Sequence, residues 1–300
     1  MDLDRLSTET RNKETLNLDQ MDPLEIIQKM NQEDKNIPSA IEKQLPQIAK
    51  VIEAVINSFR QGGRLIYFGA GTSGRLGVLD AAECVPTFGV PAEMVVGLIA
   101  GGDKAMLKAV EGAEDSKTLA KEDLQALKLT AKDTVVGIAA SGRTPYVIGG
   151  LEYARQVGAY RASLACNEGA EISKYSQTAI EVVVGPEILT GSTRLKAGTA
   201  QKLILNMIST ASMVGIGKVY QNLMVDVQPT NQKLIERAKR IIMQATEVDY
   251  KTADHFLNLS NFNVKTAIVM ILTDNDKETA EKLLKSNQGF VRQAILKEEK

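Results

Sequence analysis

The chain has 300 residues, of which 44% are apolar and 24% charged, and this balance is ordinary for a globular protein with a buried core. Its 36 basic and 37 acidic residues leave a net charge of -1, which excludes the basic footprint typical of proteins that bind nucleic acid or an anionic membrane surface. We therefore expect a small-molecule ligand.

The residue types restrict the available chemistry. The single histidine, His255, leaves no room for a histidine triad or a histidine-rich metal site, and we expect it to be structural or at the surface. Cys84 and Cys166 stand in no metal-ligand or redox spacing, so we expect buried thiols in a reducing cytoplasm. The polar N-terminus predicts no signal peptide, and no apolar run approaches the roughly 20 residues of a membrane span.

Helical periodicity occupies the first part of the chain. Apolar residues recur at helical spacing around Leu24 and again from Ile48 to Phe59, and Gly62-Gly63 ends the second of these helices. We therefore predict an N-terminal helical arm over residues 1–45 and a separate domain that begins at residue 46.

Five short aliphatic runs follow, with helix-length segments between them. They are LIYFG at 65–69, MVVGLI at 94–99, TVVGIA at 134–139, ASLAC at 162–166 and IEVVV at 180–184. Strands that are apolar on both faces and alternate with helices indicate a parallel sheet covered on both sides. We predict an α/β domain with a doubly wound five-stranded parallel sheet over residues 46–222. Ligands of such sheets bind at the carboxyl ends of the strands.

The rest of the chain reads as helical. Residues 196–222 form one apolar segment that predicts a single long helix, and residues 231–300 predict shorter, more charged helices after a break at Pro229. No strand pattern is present in this tail. We therefore predict a small helical region over residues 223–300.

The loop after the first strand runs from Gly69 to Arg75, with the sequence GAGTSGR. Its glycines permit close backbone approach, and the amides of Gly71, Thr72 and Ser73 would begin a helix whose positive end favours an anion. We predict that these three residues and Arg75 bind substrate, with Ser73 as a hydroxyl donor. The simpler interpretation is that Thr72 or Ser73 only caps the helix.

The same letters satisfy the glycine fingerprint of dinucleotide-binding proteins. That function requires an acidic residue at the end of the second strand. The strand tip Leu98-Ile99-Ala100 carries no carboxylate, and Asp103 comes only after two further glycines. The sequence therefore argues against a dinucleotide.

Two later loops repeat the hydroxyl and arginine theme. The third strand is followed by Ser141-Gly142-Arg143-Thr144 and the fifth by Gly191-Ser192-Thr193-Arg194, with Lys196 beside it. Three such loops at strand ends indicate convergence on one polar, anionic ligand. We predict that Ser141, Gly142, Arg143, Thr144, Ser192, Thr193 and Lys196 bind substrate, Lys196 by neutralising a phosphate or a developing enolate. A solvent-facing lysine is the alternative for Lys196.

GAGTSGR followed by ASGRT, on this strand order, resembles the sugar isomerase (SIS) domain, a phosphosugar-binding fold. The stretches LIYFGAGTSGRLGVLDAAEC, EGAED, SGRTPYV and GPEILTGSTRLKAGTAQK, with LSTETRN and MNQED near the N-terminus, resemble the N-acetylmuramic acid 6-phosphate etherase family over nearly the whole chain. The resemblance implies cleavage of the C3 D-lactyl ether of N-acetylmuramic acid 6-phosphate, which gives N-acetylglucosamine 6-phosphate and D-lactate. It implies no cofactor and no metal.

The resemblance also assigns two catalytic glutamates. Glu83 would protonate the departing lactate and later activate water, and Glu114 would take the C2 proton. Elimination through the ring-opened aldehyde needs such an acid and base, and Glu83 lies in an apolar helix end where burial would raise its pKa. An exposed helix acid is the alternative for Glu83. On sequence grounds alone, Glu111 and Asp115 are equivalent to Glu114.

The spacing of Glu83 raises a geometric difficulty. On one straight helix from Ser73, Glu83 would lie about 15 Å along the axis, beyond the reach of a hexose 6-phosphate. Either the loop extends before the helix begins, or Glu83 acts in a neighbouring subunit. We therefore hypothesise a homodimer with composite sites.

Two other functions stay open on the same fold. A sugar-phosphate-sensing regulator would need the phosphate loops but neither acid nor base. An aldose–ketose isomerase would need a base for C2 but no group for a C3 leaving group.

Overall fold

The computed structural model describes residues 6–108, 110–229 and 231–296. The ends of the predicted arm and of the predicted C-terminal region, residues 1–5 and 297–300, lie outside the described residues, as do Ala109 and Thr230.

The described chain alternates helices and strands as far as α8 and is mostly helical beyond it. The helices are α1 (Pro23–Asp34), α2 (Asn36–Glu42), α3 (Leu45–Arg60), α4 (Gly71–Phe88), α5 (Lys104–Leu107), α6 (Leu119–Ala126), α7 (Pro145–Val157), α8 (Lys196–Gly215), α9 (Gln232–Thr246), α10 (Tyr250–Leu259), α11 (Val264–Thr273), α12 (Lys277–Ser286) and α13 (Val291–Leu296). The strands are β1 (Leu65–Gly69), β2 (Val95–Ile99), β3 (Thr134–Ala139), β4 (Tyr160–Ala165), β5 (Thr178–Glu181), β6 (Val219–Tyr220) and β7 (Leu223–Met224).

The first five strands form a parallel sheet in the order β2-β1-β3-β4-β5. Leu65 of β1 pairs with Val95 on one side and with Thr134 on the other, so the carboxyl ends of these strands share one edge. Every residue of β1 and β3 is buried, because helices such as α3 and α7 pack on the sheet. The predicted doubly wound five-stranded parallel sheet is confirmed.

The predicted single helix over residues 196–222 is wrong. Helix α8 ends at Gly215, Gly217 has a φ of +80°, and the chain then enters an antiparallel hairpin in which Val219 pairs with Met224. The apolar run continues from the helix into the hairpin, so hydrophobicity alone gave no boundary. Gly217 was the available signal, since glycine commonly follows a helix end with positive φ.

The chain divides into two compact units. The first comprises residues up to Ala82 together with Glu93–Ser209, and the second comprises Glu83–Ala92 together with residues from Thr210 onward. The sheet lies in the first unit. The second has its own core around Ile242, Leu257 and Ile268. The domain boundaries predicted at residues 45/46 and 222/223 stay predictions.

Asp133 joins the starts of β1 and β3, at the edge of the sheet opposite the carboxyl ends of these strands. Its carboxylate accepts hydrogen bonds of 2.8 Å from the backbone N–H and Nη2 of Arg64 and from the backbone N–H of Thr130. Burial by itself would raise the pKa of Asp133, but these hydrogen bonds outweigh burial and hold the pKa below 3.8.

Replacing Asp133 by alanine is expected to lower the free energy of unfolding by about 3 kcal/mol, because the Arg64 guanidinium loses its buried partner. Since the folded pKa lies below the unfolded value, this contribution is present above the unfolded pKa and is lost as pH falls through the folded one. Urea unfolding of wild type and variant over a pH series measures both effects. The difference in free energy of unfolding between wild type and variant should narrow as the pH falls. If it widens below about pH 3.8, the ionised Asp133 carboxylate is not the cause of the stabilisation.

Candidate active site

A cavity of about 220 Å³ opens at the carboxyl ends of β1 and β2. Its walls come from the residue after β1 and the first turns of α4, from the residue after β2, and from α5 and the segment that follows it. They comprise Ala70, Gly71, Arg75, Ala100, Ala105, Val110, Glu111, Gly112, Ala113 and Glu114. This edge of a parallel sheet is where ligands of doubly wound proteins bind. The predicted residues Gly71, Arg75 and Glu114 therefore meet at one cavity.

Helix α4 begins at once after β1. Gly71 has a φ of +54°, and a Cβ at Gly74 would lie 2.5 Å from the carbonyl oxygen of Gly69, so the tight turn requires its glycines. The first-turn amides of a helix lack intrahelical partners and favour an anion. Gly71, Thr72 and Ser73 supply them here.

The side chains of Ser73 and Arg75 already have partners within the protein. The Ser73 hydroxyl, buried, donates to Gln201 Oε1 at 2.9 Å. Arg75 donates through Nε and Nη2 to the carbonyl oxygens of Met106 and Ala105, at 2.9 and 2.7 Å. Arg75 thus holds α5 in place while it lines the cavity. The Ser73 hydroxyl thus donates its proton within the protein, so the predicted role of Ser73 as a hydroxyl donor to substrate would require this hydrogen bond to break.

The loop after β3 provides a second helix start at the same edge. Gly142 has a φ of +72°, and a Cβ there would lie 2.4 Å from the Cβ of Ala170, so only glycine fits. The Ser141 hydroxyl accepts from the backbone N–H of Arg143 at 3.3 Å. Thr144 precedes α7 and makes no side-chain capping hydrogen bond.

The third loop reaches the first through α8. A Cβ at Gly198 would lie 3.3 Å from Thr72 Cγ2, so the start of α8 lies beside the start of α4. Ser192 and Thr193 are half-buried in the loop before it. Two of the three predicted loops are therefore in direct contact at their helix starts.

Lys196 is buried and not solvent-facing, so the alternative prediction for it is wrong. It is 1% exposed, and its ammonium forms an ion pair with Glu33 of α1. Glu187 occupies the positive end of α8, because its carboxylate accepts from the backbone N–H groups of Lys196 and Ala197 at 2.9 Å each. Burial raises the pKa of Glu187 even though both amides act to lower it.

Glu114 and Glu111 line the cavity, whereas Asp115 is not among the described residues that form its walls. Both glutamates are exposed. The carbonyl oxygen of Glu114 accepts from the backbone N–H of Tyr146 at 3.0 Å, which ties Glu114 to the first turn of α7. The structure thus separates Glu114 from Asp115 but keeps Glu111 as an equivalent neighbour.

Glu83 lies far along α4. Because the helix is continuous from Gly71 to Phe88, the loop extension that would have shortened the distance is absent, and Glu83 lies about 15 Å from Ser73 along the axis. The predicted burial of Glu83 is also wrong for the single chain, where its side chain is exposed. Leu79, Ala82 and Pro86, on the same helical face, are exposed as well.

The segment that follows Glu114 packs tightly on α7. A Cβ at Gly149 would lie 1.8 Å from the carbonyl oxygen of Lys117. Replacing Gly149 by alanine is expected to displace this segment together with Glu114. With Glu114 as the predicted base for C2, kcat should fall by about 10- to 100-fold, since misplacing such a group by about 1 Å has effects of that size. Steady-state kinetics measure the loss, with the exposed Glu152→Ala on the same helix as control. A folded Gly149→Ala protein with unchanged kcat would contradict the prediction that Glu114 is the base.

Three buried polar residues at this edge escaped the sequence analysis: Asn167, Glu187 and Gln201. Asn167 bonds to Thr8 and Gln201 to Ser73, 159 and 128 residues away, whereas Glu187 bonds to backbone amides at the start of the next helix. Only Asn167, directly after the strand pattern, carried a positional signal.

The remaining predicted residues lie as follows. Cys84 and Cys166 are buried and form no disulfide, and burial raises the pKa of Cys166 to about 12. His255 is exposed and packs edge-on against Phe256. Within residues 6–108, 110–229 and 231–296, no three His, Cys, Asp or Glu side chains cluster as metal ligands. In the same ranges, no helix has the length and apolar character to cross a membrane.

Two family models match the chain. The SIS domain model matches residues 114–211, and the model of the glucokinase regulatory protein N-terminal SIS domain matches residues 47–155. The N-acetylmuramic acid 6-phosphate etherase of Geobacillus sp. (strain WCH70) is 65% identical over 293 residues, which cover 98% of this chain and 99% of that protein. N-acetylmuramic acid 6-phosphate etherase 2 of Enterococcus faecalis is 66% identical over 296 residues, with 98% and 100% coverage.

Among solved structures, a phosphoheptose isomerase from Francisella tularensis is similar with a TM-score of 0.51 and 17% sequence identity. The match covers 65% of this chain and 100% of that chain. At this identity the likeness shows the SIS fold alone.

Proposed function

The chain belongs to the N-acetylmuramic acid 6-phosphate etherase family, and we propose that it cleaves the C3 D-lactyl ether of that sugar phosphate. The products are N-acetylglucosamine 6-phosphate and D-lactate. The observation that carries the proposal is identity of 65% over 98% of the chain with a curated etherase, together with Glu114 in a cavity at the ligand-binding edge of the sheet. Two buried cysteines that form no disulfide fit a reducing cytoplasm.

For the 6-phosphate we propose the helix starts as the binding groups. The first-turn amides of α4 supply N–H donors at the positive end of that helix, and the loop Ser141–Thr144 supplies hydroxyl groups at the start of α7. Ser192 and Thr193 extend this surface next to Thr72. Lys196 acts indirectly, because its ammonium is paired with Glu33 and keeps α1 on the start of α8.

The two glutamates perform the chemistry. With the sugar ring open, the C1 aldehyde acidifies C2, and Glu114 takes the C2 proton. The electron pair forms the C2–C3 double bond, the C3–O bond breaks, and Glu83 protonates the departing lactate oxygen. Water activated by Glu83 then adds at C3, and the proton returns to C2. The elimination therefore needs one ionised carboxylate as the base and one protonated carboxyl group as the acid.

We propose that Glu83 acts in the site of a second copy of this chain. One chain provides a cavity of about 220 Å³, which is below the about 300–1,000 Å³ of typical ligand pockets. The distance of about 15 Å along α4 separates Glu83 from the anion-binding turn of its own chain. Glu83 also stands in the exposed apolar stripe with Leu79, Ala82 and Pro86, which a partner subunit would cover. That cover would also supply the burial that an acid needs.

A sensing regulator is the second candidate, because the glucokinase regulatory protein model matches residues 47–155. That match covers little more than a third of the chain, whereas the etherases match 98% of it. A regulator also has no need for a carboxylate at the cavity. The etherase is therefore the function that the observations support better.

Release of D-lactate from N-acetylmuramic acid 6-phosphate tests the proposal. In H₂¹⁸O, elimination and hydration place the label in the C3 hydroxyl of the sugar and leave lactate unlabelled, because lactate keeps the ether oxygen. The sugar without its 6-phosphate is the control and should react far more slowly. No D-lactate above background, or conversion of an aldose phosphate to a ketose instead, contradicts the etherase.

A further inference from the structure

A segment near the N-terminus crosses the ligand-binding edge of the sheet. Residues 6–15, here called the strap, contact the loops that follow β4 and β5 through Ser7 and Thr15. Thr8 and Thr15 within it are buried, whereas Arg11 and Lys13 are exposed. The strap is therefore packed on the strand ends by its hydroxyl residues.

Asn167, two residues after β4, joins the strap to the sheet. Its Oδ1 accepts from the Ser7 hydroxyl at 2.9 Å and from the backbone N–H of Thr8 at 3.4 Å. Its Nδ2 donates to Thr8 Oγ1 at 3.0 Å and to the carbonyl oxygen of Ala140 at 3.1 Å. All four hydrogen-bonding positions of the amide are thus used, in a residue that is 2% exposed.

Asn167 and the strap lead to two different loops of the site. Ala140 directly precedes Ser141 of the loop before α7. At its other end, the strap donates from the Thr15 hydroxyl to the carbonyl oxygen of Ile188 at 2.9 Å. The Glu9 carboxylate lies 3.5 Å from the position that a Cβ would take at Gly191, next to Ser192. One buried amide and one strap therefore connect two of the three phosphate loops.

We propose that Asn167 is a positioning residue for the sugar-phosphate site, and that it acts by docking the strap across the loops at Ser141 and Ser192. This inference rests on the proposed function for the identity of the ligand. A fully satisfied buried network holds its members in one arrangement. The amide thereby fixes the spacing between the two loops before the ligand arrives, which reduces the ordering that binding requires.

A matched pair at Thr8 tests the proposal. Thr8→Val keeps the shape of this fully buried side chain but removes the acceptor for one Asn167 amide hydrogen, whereas Thr8→Ser keeps the acceptor. Leaving a buried donor without a partner costs enough free energy to shift the docking equilibrium of the strap about tenfold toward the undocked state. We expect Thr8→Val to raise KM for N-acetylmuramic acid 6-phosphate about tenfold with kcat within about twofold, and Thr8→Ser to restore KM.

Trypsin reports strap docking independently of activity. Cleavage after the exposed Arg11 and Lys13 should be faster in Thr8→Val than in wild type or Thr8→Ser, with N-acetylglucosamine 6-phosphate slowing cleavage in all three. Asn167→Asp removes both amide donors at nearly constant volume and should raise KM at least as much. The melting temperature of each variant shows whether it is folded.

Faster cleavage with unchanged KM would overturn the proposal, because the strap would then be structural only. Equal KM for the valine and serine variants would overturn it as well. If wild type releases no D-lactate, the proposed reaction fails. The positioning role is then decided by the Kd of N-acetylglucosamine 6-phosphate in the same variants, where a ratio near one for Thr8→Val overturns it.

Discussion

Glu114→Gln is expected to lower kcat for D-lactate release by about 10³-fold, because it removes the base that takes the C2 proton and keeps the size of the side chain. KM should change little, since Glu114 contacts the cavity beside the phosphate loops rather than within them. Solvent deuterium should enter C2 of N-acetylglucosamine 6-phosphate in wild type and not in the variant. Steady-state kinetics and mass spectrometry measure the two effects.

Glu111→Gln is the matched control for Glu114→Gln. Glu111 lines the same cavity and is exposed like Glu114. It would therefore share any effect that arises only from negative charge in the cavity. We expect its kcat to stay within about threefold of wild type, as expected for a group outside the proton transfer. A larger loss in Glu111→Gln than in Glu114→Gln would transfer the role of base to Glu111. Only resemblance distinguishes the two in sequence, and the cavity alone does not separate them.

The sheet could be predicted from sequence because its signal is local. β1 and β3 coincide with the predicted runs, and β2 begins one residue later than predicted, since strands buried on both faces are continuous aliphatic runs. The hairpin after Gly215 could not be predicted, because the end of α8 and the strand β6 belong to one continuous apolar run. Glycine at 217 marks the change of direction, and hydrophobicity does not.

The site could be predicted only where its residues follow strands. Gly71, directly after β1, lines the cavity, whereas Glu114, which lines it too, is assigned only by resemblance. Lys196 and Asn167 depend on partners from the N-terminal segment, Glu33 and Thr8, more than 150 residues away. Such pairings are set by tertiary packing, and a single sequence carries no pattern for them. The burial of Glu83 fails for a related reason, since one chain leaves its helical face exposed.

Mixing Glu83→Gln with Glu114→Gln is expected to recover activity that neither variant has alone. In a symmetric dimer with composite sites, a mixed dimer contains one site with both glutamates intact and one with neither. Free subunit exchange makes half of the dimers mixed, so the mixture should reach about a quarter of wild-type activity. D-lactate release before and after exchange measures the recovery, and differently tagged chains show that exchange took place.

The control mixes Glu83→Gln with the double variant Glu83→Gln/Glu114→Gln, which offers no intact site in any pairing and should stay inactive. Leu79→Asp, on the exposed stripe of α4, places a charge in the proposed interface and should lower both dimer content and recovery. Exchange without recovery would mean that Glu83 serves its own chain. Because α4 is continuous over the intervening turns, that result would require the substrate to reach about 15 Å from the first turn of α4 to Glu83 of the same chain.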